Sequence, residues 1–147
     1  MANARSFGYA WVAVALAVAL HVTDEATHDF LAFYNPMALW IRSQVPFLPV
    51  PVFSFEIWLS GLIAGILLLL ALSPLAFKGN RTLRFIAYPL AIIVGLFNAA
   101  GHIGGSIYFQ RWMPGVYSAP LLLLAAIWLL IAAGKPWQQG GEKKVTD

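Results

Sequence analysis

The acidic and imidazole side chains of this sequence concentrate in one short segment, HVTDEATHD at residues 21–29. On an α-helix, positions 21, 24, 25 and 28 fall on one face because their spacing is i, i+3, i+4 and i+7. The segment therefore predicts two imidazoles and two carboxylates that point the same way. Glu25 and His28 also form the Glu-x-x-His pair that carboxylate metal sites in helix bundles use.

This combination of side chains predicts a metal site, because imidazole and carboxylate groups are ligands for zinc, iron and manganese. We expect a divalent transition metal of this kind, with four candidate ligands: His21, Glu25, His28 and His102. Asp24 and Glu56 are predicted to be catalytic groups or further ligands, and Asn98 is predicted to orient the ligands. The sequence has no second Glu-x-x-His pair, so one metal, or two with unequal ligand sets, is expected.

The same groups are also consistent with chemistry that needs no metal. A histidine and a carboxylate in an apolar pocket can pass protons to and from a lipophilic substrate, as in an isomerase. A third interpretation is a purely structural network, because ionisable groups within a bilayer cost about 2.5 to 3.5 kcal/mol each and must be paired. A metal-coupled or proton-coupled carrier and a small accessory subunit are further alternatives.

The composition places these groups in a membrane protein. Of the 147 residues, 61% are hydrophobic and only 10% are charged, with a mean hydropathy of +0.76. Soluble domains are about half apolar, so this chain lacks the polar residues to cover itself in water. It has no cysteine, which excludes disulfides and thiolate ligands. The net charge of +3 comes mainly from basic residues at segment ends, so nucleic acid is not an expected partner.

Four apolar stretches are long enough to predict an all-α bundle of four transmembrane helices, since a span needs about 20 residues. They cover approximately residues 9–34, 53–77, 83–110 and 119–134. Asn35-Pro36 is expected to end the first span, and Pro89 predicts a kink in the third. Between the first two spans we expect a short interfacial helix and a proline-rich loop. Residues 1–134 form the membrane domain, and residues 135–147 are a polar tail.

The positively charged residues predict the orientation. Seven of them would lie on the same side as both termini, which assigns that side to the cytoplasm: Arg5, Lys78, Arg81, Arg84, Lys135, Lys143 and Lys144. Arg42 and Arg111 would lie on the outer side. A cleaved signal peptide at the N-terminus is the competing interpretation. It would leave an odd number of spans and separate the basic clusters.

The rise of an α-helix predicts the depth of the polar residues. His21 would lie about 20 Å from the cytoplasmic entry of its helix, and Asn98 and His102 would lie about 21 and 27 Å from theirs. Glu56 begins the second span at the outer side. We therefore expect the site near the outer leaflet, with membrane lipids and a lipophilic small molecule as partners. A homo-oligomer or a larger membrane complex is left open.

Small residues predict where helices approach each other closely. The pairs Gly61/Gly65 and Gly101/Gly105 have the GxxxG spacing that is typical of tight helix packing in membranes. A ligand beside His102 is the alternative use of the space that these glycines leave.

The chain resembles the HXXEE-domain family of small bacterial membrane proteins. The resemblance rests on His21-x-x-Asp24-Glu25, on Asn98-x-x-x-His102 and on the Pro114-Gly115 turn, and it covers most of the chain. Asp24 departs from the glutamate of the family name, which keeps the charge and shortens the side chain. The resemblance implies a bacterial inner-membrane location and supports His21, Asp24 and Glu25 as site residues. It implies no particular reaction.

Overall fold

The computed structural model describes residues 2–135, and this part of the chain is entirely helical apart from its turns and loops. The α-helices, in chain order, are α1 Ala2–Thr27, α2 Phe30–Gln44, α3 Phe55–Ala71, α4 Ser73–Phe77, α5 Arg81–Pro89, α6 Asn98–Tyr108 and α7 Ala119–Gly134. A π-helical segment, Leu90–Phe97, joins α5 to α6. The predicted all-α class is confirmed. Residues 136–147 of the predicted tail lie outside the described residues.

Helix α1 is the centre of the molecule, and it packs against α7, α4 and α3. Its buried positions alternate large and small side chains, with Trp11 and Val14 beside Ala10 and Ala15. The alanines allow neighbouring helices to come close while the larger residues fill the space between them. The Trp11 indole also donates a hydrogen bond to the Leu69 carbonyl at 2.8 Å, which ties α1 to α3.

The first helix ends earlier than the sequence predicted. Helix α1 stops at Thr27, Asp29 adopts a left-handed conformation with φ of 55°, and α2 then continues through Pro36. Side chains account for this end, because the Thr27 hydroxyl and the His28 ring bind carbonyls in the last turn of α1. Aspartate tolerates the left-handed region better than most residues. The prediction that Asn35-Pro36 ends the first helix is therefore wrong.

The segment between α2 and α3 contains no regular helix. Hydrogen bonds from α2 hold the end of this segment that leads into α3. The Asn35 amide exchanges two hydrogen bonds with the Phe53 backbone, at 2.9 and 3.1 Å. The Tyr34 hydroxyl donates to the Pro51 carbonyl at 3.0 Å. These bonds fix where α3 begins.

The third apolar stretch changes helix type at the predicted kink. Pro89 is the last residue of α5, and the next eight residues form the π-helical segment. A π-helix closes its hydrogen bonds one residue later than an α-helix, so it alters the direction that the following residues face. Gly95 in this segment packs directly against the Ala126 side chain of α7. The segment thus sets how α6 presents Asn98 and His102.

The predicted GxxxG packing is not observed within residues 2–135. A Cβ atom added at Gly61, Gly65 or Gly101 would meet no atom within 4 Å, and at Gly105 it would meet only Met113 at 3.7 Å. Helices approach each other closely at two other glycines instead. Gly8 packs against the Phe77 ring, and Gly95 packs against Ala126.

Among residues 2–135, three helical stretches are long and apolar enough to cross a membrane: Asn3–Thr27, Phe55–Phe77 and Arg81–Tyr108. Helix α7 is apolar but has only 16 residues. At 1.5 Å per residue it is about 24 Å long, which is shorter than the hydrocarbon core of a typical bilayer. Length and composition are thus compatible with membrane insertion of the chain.

Candidate metal centre

The centre of the site is the Glu25 carboxylate, which is buried between two imidazoles. Its Oε1 atom lies 3.0 Å from Nε2 of His102 and 3.6 Å from Nε2 of His21. His21 is one turn before Glu25 on α1, and His102 comes from α6. Potential ligand atoms from the three residues all lie within 4.8 Å of one another. The two rings meet edge to face, with their centroids 4.8 Å apart.

A buried hydrogen-bond network supports His21 from the side opposite to Glu25. The Ser118 hydroxyl lies 2.9 Å from Nδ1 of His21 and 2.7 Å from Oδ2 of Asp24. The Ser118 backbone N–H donates to the same Asp24 oxygen at 2.9 Å. Ser118 directly precedes α7, so this network joins α1 to the start of the last helix.

The network favours a proton on Nδ1 of His21. A hydroxyl has one proton, and a hydrogen bond to a carboxylate is stronger than one to a neutral acceptor. Ser118 therefore donates to Asp24 and accepts from Nδ1–H of His21. The lone pair of Nε2 is then directed toward the site, where this buried atom has no hydrogen-bond partner among residues 2–135.

With that proton on Nδ1, a lone pair of His21 and a carboxylate oxygen of Glu25 face each other at 3.6 Å. Two acceptors in this arrangement repel unless a cation lies between them, either a proton or a metal ion. The geometry accommodates a metal, because ligand atoms about 2.1 Å from a tetrahedral ion lie roughly 3.4 Å apart. The three residues could therefore hold a metal, which would draw together ligand atoms that now lie within 4.8 Å of one another.

The loop between α6 and α7 packs closely against the rings of His21 and His102. Gly115 has φ of 86°, and a Cβ atom there would lie 2.8 Å from two atoms of the His102 ring and 2.9 Å from Cε1 of His21. The Ser106 hydroxyl donates to the His102 carbonyl at 2.8 Å and accepts from the Met113 N–H at 3.0 Å. The loop is thereby fixed to the helix that carries His102.

Asn98 lies one turn before His102 on α6. Its Oδ1 atom is buried and has no hydrogen-bond partner within the described part of the chain. A buried amide oxygen without a donor costs about 1–3 kcal/mol. This free acceptor faces the same interior as the two histidines.

Comparison with known proteins identifies the group to which this arrangement belongs. A family model described as a protein of unknown function with an HXXEE motif matches residues 11–129. The chain belongs to the HXXEE family. No curated protein and no solved structure matches it. The resemblance inferred from His21, Asp24 and Glu25 is thus confirmed.

The structure gives the three HXXEE motif residues of this chain different partners. His21 and Glu25 contribute to the group around the buried carboxylate, whereas Asp24 binds Ser118 and does not belong to that group. The side chain of Asp24 also contacts Nδ1 of His28 through Oδ1, at 2.9 Å.

Two of the residues that the sequence predicted for the site lie apart from the group. The His28 side chain is 49% exposed and pairs with Asp24, one helical turn before it, and not with Glu25. Glu56 is exposed in the first turn of α3, where a carboxylate interacts favourably with the helix dipole. The predicted meeting of Glu56 with the cluster is not observed.

Ser118 was missed by the sequence analysis of this HXXEE chain. A lone serine just before an apolar helix has the signature of a helix N-cap, and its side chain is instead used by Asp24 and His21. The sequence feature that could have indicated Ser118 is its position three residues after the Pro114-Gly115 turn.

Proposed function

We propose that this chain is an integral membrane protein that binds one divalent transition metal ion through His21, Glu25 and His102. The observation that carries the proposal is the buried Glu25 carboxylate, whose Oε1 atom lies 3.6 Å from Nε2 of His21 and 3.0 Å from Nε2 of His102. Two histidines and one glutamate are a ligand set that catalytic zinc sites use, with a fourth position left for water or substrate.

The residues around the ligands have the roles expected in a metal site. Ligating histidines usually hold their second nitrogen through a hydrogen bond, and His21 does so through Ser118 and Asp24. We therefore assign Asp24 to positioning His21 rather than to contact with a substrate. Asn98 offers its free oxygen to a water or a substrate beside the ligands.

We propose that the site acts as an enzyme on a lipophilic substrate. A metal bound there would polarise a substrate oxygen or activate water. The protein would contribute a largely buried site and the fixed imidazole and carboxylate groups around it. The apolar composition of the chain favours a substrate that partitions into the bilayer.

The proposed topology has four spans, with α7 as the shortest, both termini in the cytoplasm and the site near the outer leaflet of a bacterial inner membrane. The distribution of lysine and arginine supports this orientation. Local thinning of the bilayer would accommodate a 16-residue span at a modest energetic cost.

Elemental analysis of protein purified gently in detergent tests the metal. We expect about one equivalent of zinc, iron or manganese in the wild type and a loss of most of it in Glu25→Gln. Glu56→Gln is the matched control, because Glu56 is exposed and outside the group. Less than about a tenth of an equivalent in the wild type would refute the metal and favour proton transfer by the same residues.

A second candidate role, as a subunit of an assembly, is favoured by the exposure of α3. In the apolar part of Phe55–Phe77 only 6% of the residues are buried. A Cβ atom at Gly61 or Gly65 would meet no other atom within 4 Å, so both glycines lie open on the surface of the helix. Mass measurement in detergent tests this role through a homo-oligomer or a co-purifying partner. Gly61→Leu would weaken such an assembly and leave the monomer fold intact.

A further inference from the structure

A second concave site lies beside the metal centre, between α2 and the loop that joins α6 to α7. It has a volume of about 710 Å³, which is within the range of sites that bind small molecules. Its apolar wall includes the aromatic side chains of Phe33, Trp40, Trp112 and Tyr117. Its charged groups are Arg111 and Asp29, with His28 between the cavity and Asp24.

The two charged side chains of this cavity do not neutralise each other. Among residues 2–135, the Arg111 guanidinium makes no salt bridge, and it lies 5.8 Å from the ring centroids of Phe33 and Phe109. Asp29 occupies the N-cap position of α2, yet its carboxylate makes no capping hydrogen bond. A cation and an anion thus line one cavity, and neither has a partner of opposite charge among the described residues.

The surroundings indicate what kind of ligand would use both charges. Exposed tryptophan and tyrosine side chains are typical of the depth of lipid headgroups, and the Trp112 and Tyr117 rings are stacked with an interplanar angle of 18°. Helix α2 exposes Met37 and Trp40 along the same cavity. A molecule with an apolar body and a zwitterionic head matches this combination.

We propose that this cavity binds the headgroup of phosphatidylethanolamine, with its phosphate on Arg111 and its ammonium on Asp29. Arginine binds phosphate through two parallel hydrogen bonds, which is the strongest contact that the cavity offers. A carboxylate accepts hydrogen bonds from a primary ammonium, whereas a quaternary ammonium has no proton to donate. The acyl chains would extend past the aromatic wall into the bilayer.

This inference goes beyond the proposed metal site and does not depend on it. None of the three proposed ligands lines the cavity, so lipid binding is expected with or without a metal. A failure of the lipid experiment would leave the metal proposal standing, and the reverse also holds.

Native mass spectrometry of the full chain in detergent measures the binding directly. Phosphatidylethanolamine, phosphatidylglycerol and phosphatidylcholine with matched acyl chains are added one at a time. We expect the wild type to bind phosphatidylethanolamine about tenfold more tightly than the other two. Free phosphoethanolamine serves as a further arm, and it should bind more weakly than the lipid because it lacks the acyl chains.

Two variants test the roles of the Arg111 and Asp29 charges separately. Arg111→Gln should weaken binding of all three lipids about tenfold, because each has a phosphate. Asp29→Asn keeps the left-handed turn, which asparagine tolerates, and should remove the preference for phosphatidylethanolamine over phosphatidylglycerol. Arg42→Gln is the matched control: Arg42 is an exposed arginine at the end of α2 that does not line the cavity, and its loss should change nothing.

Three results would overturn the proposal. The first is equal binding of the three lipids by the wild type, and the second is a preference for phosphatidylglycerol. The third is an equal loss in Arg42→Gln and Arg111→Gln, which would show nonspecific attraction of phosphate to basic residues. Circular dichroism on each variant establishes that it is folded.

Discussion

Gly115 packs so closely against the His102 ring that no side chain fits at position 115. A Cβ atom at position 115 would lie 2.8 Å from both Nδ1 and Cε1 of His102. The backbone at Gly115 also has a positive φ of 86°, which side chains disfavour. Both the space and the conformation at this turn therefore require glycine, and the orientation of His102 depends on it.

Gly115→Ala is expected to impair the metal site and the fold together. The methyl group would displace both histidines, and the strained backbone would cost about 1–2 kcal/mol of stability. Metal content and the free energy of unfolding should both fall. Gly101→Ala is the control, because its Cβ would meet nothing within 4 Å and alanine favours the helix. Equal metal content in both variants would contradict the role given to the turn.

Ser118→Ala is expected to weaken metal binding without removing a ligand. The hydroxyl fixes the proton on Nδ1 of His21, and the loss of such a partner typically lowers metal affinity 10- to 100-fold. The backbone N–H of residue 118 can still bind Asp24, so the fold should persist. Titration with zinc measures the affinity, and Ser118→Thr, which keeps a hydroxyl, should restore most of it.

The three histidines are expected to differ in their effect on metal content. His102→Ala and His21→Ala should each lose most of the metal, because each removes a proposed ligand. His28→Ala should retain it, since that half-exposed ring pairs with Asp24 outside the group. Elemental analysis of the three variants distinguishes these outcomes. Retention of metal by His102→Ala would refute the proposed ligand set.

Metal binding is expected to weaken on acidification. Imidazole and carboxylate groups bind a metal only when deprotonated, so protons compete with the metal for His21, Glu25 and His102. The apparent affinity for zinc should therefore fall as the pH is lowered from about 8 to about 5. Competition titrations at several pH values measure this dependence. An affinity that is independent of pH would exclude histidine ligands.

Asn35→Ala is expected to destabilise the junction between α2 and α3 and to leave the metal site unchanged. The substitution removes two hydrogen bonds to Phe53, each worth about 1 kcal/mol. Asn80→Ala, which removes a single cap bond to Leu83 on α5, should have about half that effect. Thermal unfolding and metal content measured on both variants test this separation.

Local spacing predicted the part of the site that one helix carries. His21 and Glu25 are four residues apart, so the period of the helix alone places them on one face. The contribution of His102 could be anticipated because it is the remaining histidine and was predicted at a similar depth to His21. The confirmed family resemblance rests on these same residues.

The errors arose where side-chain bonds and tertiary contacts decide the structure. The end of α1 depends on hydrogen bonds from Thr27 and His28 to backbone carbonyls. These bonds end the first helix before Pro36, where the sequence had predicted its end. Glu56 was placed by depth alone, which carries no information on the direction a side chain faces. Ser118 was missed because its partners, Asp24 and His21, are distant in sequence.

The π-helical segment makes the site sensitive to chain length as well as to residue identity. Eight residues from Leu90 to Phe97 separate the Pro89 kink from Asn98, and their wide turns set the angle at which α6 leaves the segment. Inserting one more residue there would turn the start of α6 by a further part of a turn. His102 would then rotate about the helix axis and away from Glu25, although every side chain of the site would still be present.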